Sequence, residues 1–365
     1  MADDVHVGRL TRRAALAMTG GAAAALAADG IARASHQPPR PTPDRPPPSG
    51  DLVSYEETVL AFRNHGFHSE FLDQPITLPL DEIKRRPVVR QPTIMECAGT
   101  GRSFAHPRAI YVPWFSEAVG CYEFTGTPLR GILEEAGLLD DATEVVFSGW
   151  DQGFDLGTQH FFERALPVDE AMKPEVLLAW DANGQPLLPA HGFPLRLIVP
   201  TWYGMASVKW LRSITVIDHT FQGVEQKQVY RLQSSSSDGG RPVRNKAVRS
   251  ALKGPGIPDA ISRMRFVSRG RHVLDGMAWS GRGPITKVEV STDDRRTWRP
   301  ASLAAQVGPF AWTPFSFTWD VQRRGEYIVS SRATDAKGNV QPLEAPWNLQ
   351  GMAVNHVERI PVRVR

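Results

Sequence analysis

Over the last third of this chain apolar residues fall on alternate positions. Val288 and Val290, following Ile285, lie on one side of such a pattern, Phe315, Phe317 and Trp319 repeat it with strict period two, and Tyr327 to Val329 form a short apolar run. A period of two puts alternate side chains on opposite faces of an extended strand. Several such strands with turn residues between them predict a β-sandwich of the immunoglobulin-like type, about one hundred residues long. Upstream the pattern is mixed. Gly131 to Gly137 (GILEEAG) reads as the end of an amphipathic helix stopped by Gly137, whereas Val145 to Phe147 and Leu195 to Val199 read as strands bounded by Gly and Pro. With no regular strand-helix-strand beat, the first unit is predicted to be α+β. The two patterns meet at Leu232 to Pro258, where LQSSSSDGGRP predicts an exposed loop, so one folded unit is expected over 59–245 and a second over 255–365.

Composition adds little to this picture and the N-terminus adds more. The 365 residues include 31 Gly and 30 Pro, with 41% apolar and 22% charged residues, which fits short strands and loops better than a helical bundle. A net charge of +3 without a basic stripe gives no reason to expect nucleic acid as a partner. Residues 1–34 have the order of an export signal: a polar segment ending Thr11-Arg12-Arg13, a mildly apolar Ala14 to Ala28, and Ala32-Arg33-Ala34 as a cleavage site. The arginine pair resembles the twin-arginine type, so a periplasmic location is expected. No membrane span is expected in the mature chain. Residues 35–58, rich in proline (QPPRPTPDRPPPSG), predict an extended linker.

The chemistry centres on Met95 to Ser103 (MECAGTGRS). A cysteine followed by small and glycyl residues suits a tight turn with its sulfur exposed, and a nearby Arg102 favours the thiolate. A thiolate is the donor that a soft or high-valent metal centre takes. Taken alone the signal is weak: a buried structural cysteine is the commoner explanation, and in an oxidising compartment Cys97 and Cys121 could pair as a disulfide.

Further segments change that balance. Cys97 to Arg102 resembles the Cys-Ala-Gly-Asn-x-Arg motif of the sulfite oxidase family of molybdopterin enzymes. Phe62-Arg63-Asn64-His65, Phe147 to Asp151, His191 to Arg196, Gly204 to Leu211 and Ala345 to Gly351 resemble other family segments and occur in the family's order. The resemblance covers roughly Val59 to Arg365. It implies a sulfite-oxidase-type molybdopterin-binding catalytic domain over 59–245 and an immunoglobulin-like dimerisation domain over 255–365, hence a homodimer.

Carried onto this chain, the resemblance implies that Cys97 ligates molybdenum. Ala61, Phe62, Arg63, Asn64, His65, Asp151, His191, Arg196, Ser207, Val208 and Lys209 would hold the pterin and its phosphate. Arg196 and Lys209 suit an anionic phosphate, and backbone groups around Ser207 and Val208 can donate to it. Arg63, Arg102 and Tyr230 would face a small sulfur-oxyanion substrate, with Tyr230 as a hydrogen-bond donor at the reacting oxygen. No haem-binding sequence occurs in the chain. Electrons would then pass to an external c-type cytochrome or a haem-bearing partner subunit.

Three departures from the family pattern stand out. The stretch between Phe67 and Pro75 is short, Thr100 stands where the family usually has Asn, and no arginine lies between Pro300 and Gln322, where relatives place a substrate-facing one. They keep two alternatives open: a molybdopterin enzyme that reduces a sulfoxide or other oxyanion, and a non-catalytic relative with only a binding or dimerisation role.

Overall fold

The computed structural model describes residues 60–65, 76–109, 111–155 and 157–365. The export signal, the proline-rich linker and the whole short stretch between Phe67 and Pro75 lie outside them. The first unit contains strands β1 (Leu60–His65), β2 (Ile76–Leu78), β3 (Val89–Glu96), β4 (Val119–Pro128), β5 (Glu144–Asp155), β6 (Thr158–Pro167), β7 (Leu177–Ala182), β8 (Gln185–Pro186), β9 (Arg196–Ile198) and β10 (Leu211–Ile217). They form two sheets. One has the order β2-β1-β10-β5-β6, and the other runs β3-β4-β7-β8 with β9 also on β7.

Among the described residues α-helices are few and short: α1 (Leu80–Arg85), α2 (Leu129–Ala136) and α3 (Val168–Ala171). The predicted helix end at Gly137 is present, with Gly137 as C-cap at φ 76, where a side chain would be strained. Helix α2 sends Leu129, Ile132 and Leu133 inward, at the spacing that brings residues to one helical face. They join Val145, Phe147, Phe162, Leu178, Leu197 and Ile214 in one apolar core. The unit is thus α+β with strands dominant.

The second unit is the expected sandwich. After a small hairpin of β11 (Arg231–Leu232) and β12 (Arg241–Pro242) come β13 (Arg249–Lys253), β14 (Arg265–Val267), β15 (Gly270–Trp279), β16 (Ile285–Ser291), β17 (Arg299–Pro300), β18 (Ser302–Leu303), β19 (Thr313–Val321), β20 (Gly325–Asp335) and β21 (Ile360–Val364). One sheet runs β13-β15-β19-β18 and the other β14-β21-β20-β16-β17. In β19 the alternation is complete: Phe315, Phe317, Trp319 and Val321 are buried while Ser316, Thr318 and Asp320 are exposed. Leu274, Val288, Val290, Val329 and Val362 complete this core. The sandwich opens with Arg249–Lys253, ahead of the expected start at 255, because β13 pairs with β15 over Arg249↔Trp279 to Lys253↔Asp275. LQSSSSDGGRP is not wholly a loop; its ends close the β11–β12 hairpin.

The two units are interlocked. Ile94 N–H of β3 donates to Phe310 O at 3.1 Å, and Lys246 N–H donates to Thr201 O at 3.0 Å. The segment 347–354 runs back over the first unit, where Met352 enters its core.

Candidate active site

Cys97 sits where β3 ends. Its N–H still donates to Ala118 O at 2.9 Å, the last link to the chain entering β4, and the backbone then turns sharply, with Thr100 N–H returning to Cys97 O at 3.0 Å. The sulfur is exposed and unbridged, and Gly99 N–H donates to Cys97 Sγ at 3.4 Å. Cys121 is likewise free and half-buried; burial pushes its thiol up. The replacement of the family's Asn by Thr100 costs the turn little here, since the Thr100 hydroxyl donates to Ala118 O at 3.0 Å.

Glycine at 99 is required by what lies beside it: a Cβ there would stand 2.6 Å from the Arg102 guanidinium carbon. Arg102 is 6% exposed. Its Nε donates to Gln350 O at 2.8 Å and its Nη1 to Val112 O at 2.9 Å, and its guanidinium lies 5.4 Å from the centre of the Tyr111 ring. Burial lowers its pKa, and the charges of Cys97, Tyr230 and Tyr111 act in the opposite direction. Cys97, Arg102 and Tyr230, far apart in the chain, thus share one electrostatic neighbourhood. Tyr230 is 8% exposed, and Arg164, itself 1% exposed, holds its guanidinium 5.2 Å from the Tyr230 ring centre.

The remaining expected residues converge on a second cluster. Gly149, Trp150 and Asp151 occupy the place where both the β5–β6 and the β5–β10 registers slip. Such a bulge turns side chains out of the sheet and is frequent beside active sites. A Cβ on Gly149 would meet Asp151 Oδ1 at 2.4 Å and Lys209 O at 2.7 Å, and one on Gly192 would meet Lys209 Cβ at 2.9 Å. The bulge of β5 carrying Asp151 and the loops carrying His191 and Lys209 are therefore in contact. Arg196, buried at 7%, ties them together: Nη1 donates to His191 O at 2.8 Å and Nη2 to Ser207 O at 3.1 Å. Lys209 Nζ donates to Ala190 O at 2.7 Å and lies 4.0 Å from the Trp210 ring centre.

One expectation needs correction. The amides of Ser207 and Val208 are not open donors for a phosphate, because they bond inward to Gly204 O at 3.1 Å and Ala206 O at 3.1 Å. The Ser207 hydroxyl instead accepts from Val199 N–H at 3.0 Å. A tight 3-10 turn at Gly204–Ala206 consumes these groups before β10 begins.

Ala61, Phe62, Arg63, Asn64 and His65 lie in β1, which runs parallel to β10 with Ala61 opposite Ser213 and His65 opposite Ile217. The strand thus shares the sheet of the Ser207–Lys209 loop and leads away from it. Its side chains lie outside the described residues. The arginine-free stretch is placed as well: Phe310 bridges to Thr93 of β3, just upstream of Cys97.

Two family profiles match the chain. "Oxidoreductase molybdopterin binding domain" matches residues 63–225 and "Mo-co oxidoreductase dimerisation domain" residues 243–365. The chain belongs to the sulfite oxidase family. It is 32% identical over 311 residues to mitochondrial sulfite oxidase of Drosophila melanogaster, covering 79% of this chain and 53% of that protein. It is 29% identical to sulfite oxidase of Arabidopsis thaliana, covering 90% of this chain and 96% of that protein. Among solved structures, the sulfane dehydrogenase SoxCD from Paracoccus pantotrophus matches with TM-score 0.69 and 25% identity, covering 84% of this chain and 75% of that one. The chain thus spans little more than half the length of the animal relatives it matches.

The residues present fit the family's molybdenum cofactor. The Cys97 sulfur is exposed on a glycine-rich turn, and Gly149 and Gly192 sit in contacts that a Cβ would fill. Among the described residues no group of three or more His, Cys, Asp or Glu could hold a metal ion.

Sequence reasoning missed a buried charge cluster behind Cys97. Glu96, 1% exposed, faces Arg249 Nε at 3.1 Å and accepts from Trp279 Nε1 at 2.8 Å. Burial pushes the Glu96 carboxyl up, and Arg249, Trp279 and Lys246 pull it back. Lys246 donates to Pro200 O and to Trp202 O, and burial brings its ammonium down to about 8. A signal was present: Glu96 and Arg249 are single charges inside apolar runs, TIMEC and AVRSAL.

Proposed function

We propose that this chain is a molybdenum-cofactor oxidoreductase that oxidises sulfite or a related sulfur compound and passes the electrons to an external c-type cytochrome or haem-bearing partner subunit. The observation that carries the reading is the exposed Cys97 sulfur with the buried Arg102 guanidinium packed against Gly99 and within electrostatic reach of both Cys97 and Tyr230. Bound at Cys97, the cofactor would supply a two-electron centre able to transfer oxygen to sulfur. Arg102 supplies positive charge to an oxyanion entering beside the sulfur, held in place by the carbonyls of Gln350 and Val112. Tyr230, whose ring is braced by Arg164 and whose charge would act on Arg102, is assigned through its hydroxyl as donor to the reacting oxygen. Arg63 is assigned to the same anion. Asp151, His191, Arg196 and Lys209 hold the pterin side, with Arg196 and Lys209 fixing the loops that would surround it.

Export through the twin-arginine signal to the periplasm and assembly as a homodimer through the second domain belong to the same proposal. The dimerisation-domain match supports the dimer. The likeness to the sulfane dehydrogenase SoxCD supports a sulfur substrate.

The test is metal analysis of the full chain, followed by sulfite-dependent reduction of ferricytochrome c. One molybdenum per chain with turnover that Cys97→Ser abolishes is expected. Chain that is loaded with molybdenum yet reduces a sulfoxide and leaves sulfite untouched would refute the direction of the reaction.

A further inference from the structure

We propose that Arg249, contributed by the second domain, is a positioning residue for Cys97, clamping the turn that carries the sulfur from both sides. The proposal rests on Cys97 being the metal's thiolate ligand. Arg249 opens the first strand of the sandwich, yet its side chain leaves that domain and is buried beneath the turn at 2% exposure. On the upstream side of Cys97 its Nε faces Glu96 Oε1 at 3.1 Å, a contact of charges rather than an aligned hydrogen bond. On the downstream side its Nη2 donates to Thr100 O at 3.0 Å and to Val354 O. At Gly101, φ +86, a Cβ would stand 3.0 Å from Arg249 Nη2, so the guanidinium lies directly against the turn.

A single planar group therefore spans positions 96 and 100, bracketing Cys97, and fastens both to Val354 of the returning segment. Trp279 of the same domain holds the other Glu96 oxygen at 2.8 Å. An ion pair serving stability alone would need Glu96 and nothing more, and buried pairs are a poor source of stability because desolvation offsets their attraction. The additional donation to Thr100 O is what a positioning role requires. It needs a rigid fork with separate donors, which lysine does not offer.

The consequence concerns the second domain. In this chain it does more than provide a surface for assembly: it completes the support of the thiolate.

The experiment uses the full chain, with cofactor and without, in two variants. Arg249→Lys keeps the charge opposite Glu96 and gives up the fork. The double variant Glu96→Gln with Arg249→Gln removes both charges together and leaves no unpaired ion. In cofactor-free chain, the rate of Cys97 alkylation by iodoacetamide is measured against that of Cys121, which lies on the neighbouring strand and reports general loosening. The ratio is expected to change about tenfold in both variants, a change of about 1.4 kcal/mol in the barrier to alkylation. In loaded chain, the electron paramagnetic resonance signal of the thiolate-bound metal is expected to shift.

An unchanged ratio and an unchanged signal, with only the melting temperature lowered, would overturn the proposal and leave Arg249 a stabilising residue. Failure of both variants to fold would overturn it equally. If the parent holds no molybdenum, the ligand reading of Cys97 falls, while the alkylation comparison stands because it is made without cofactor.

Discussion

Replacing Asn348 by alanine tests how the returning segment supports the active site. The Asn348 side chain closes a small loop on itself: Nδ2 donates to Met352 O at 2.8 Å and Oδ1 accepts from Met352 N–H at 2.9 Å. At 6% exposure there is little water to replace these bonds. Each contributes about 1 kcal/mol net, and a buried backbone group left unpaired costs about 1–3 kcal/mol more, so Asn348→Ala should destabilise by about 3 kcal/mol. For a domain of this size that is a fall of roughly 6–12 °C in melting temperature.

The same loop presents Gln350 O to Arg102 Nε, and Gly351 lies so close to Arg102 that a Cβ there would stand 2.7 Å from Cγ. Loosening it should let Arg102 drift from the position proposed for it beside the anion. A loss of about 1.4 kcal/mol in that charge-assisted contact raises the KM for sulfite about tenfold with kcat little changed. Thermal melting and steady-state kinetics with ferricytochrome c on the parent and the variant provide the assay. A variant that melts within about 1 °C of the parent, against the several degrees expected, and keeps its KM would refute the idea that the segment supports Arg102.

Other consequences can be checked separately. Gly149→Ala should force Lys209 O or Asp151 aside, because the new Cβ would meet them at 2.7 and 2.4 Å. Overpacking of about 1–3 kcal/mol and a reduced molybdenum content per chain are expected, and full loading would remove the bulge from the cofactor site. Cys97→Ser should abolish metal binding at the thiolate whereas Cys121→Ser should not, and non-reducing peptide mapping should find the two unbridged, as they are in the structure. Asp293, held down to about 2 by hydrogen bonds from Thr297 and Ser291, has a folded pKa below its ordinary 3.8. Its contribution to stability is present above the ordinary value and lost as pH falls toward 2, so Asp293→Asn should flatten that part of an acid-unfolding profile. The carboxylate is only partly buried and therefore screened by solvent, which keeps the effect small; an unaltered profile would show that the loop does not use the charge.

Much of this protein is legible in local sequence. The alternation of Phe315, Phe317 and Trp319 identifies a strand with one buried face, because a two-residue period leaves no other way to bury all three rings together. Gly137 marks the end of α2, and the Cys97 turn follows from small residues next to a cysteine. These are short-range determinants, settled by backbone sterics and side-chain direction within a few residues.

What pairs with what across the chain was settled only by the tertiary structure. The Trp347 to Gly351 turn, which resembles a family segment, packs on the first unit of its own chain: Trp347 Nε1 donates to Pro107 O at 2.8 Å and Gln350 O receives Arg102. The Ser207 and Val208 amides, apparently available to a phosphate, are used up by the turn that precedes β10. Glu96 and Arg249 appeared as isolated charges in apolar runs, and their meaning emerged when the fold placed them 3.1 Å apart beneath Cys97. Burying a charge is costly unless a partner arrives with it, and the partner here comes from the other domain, at a distance along the chain that no local pattern records.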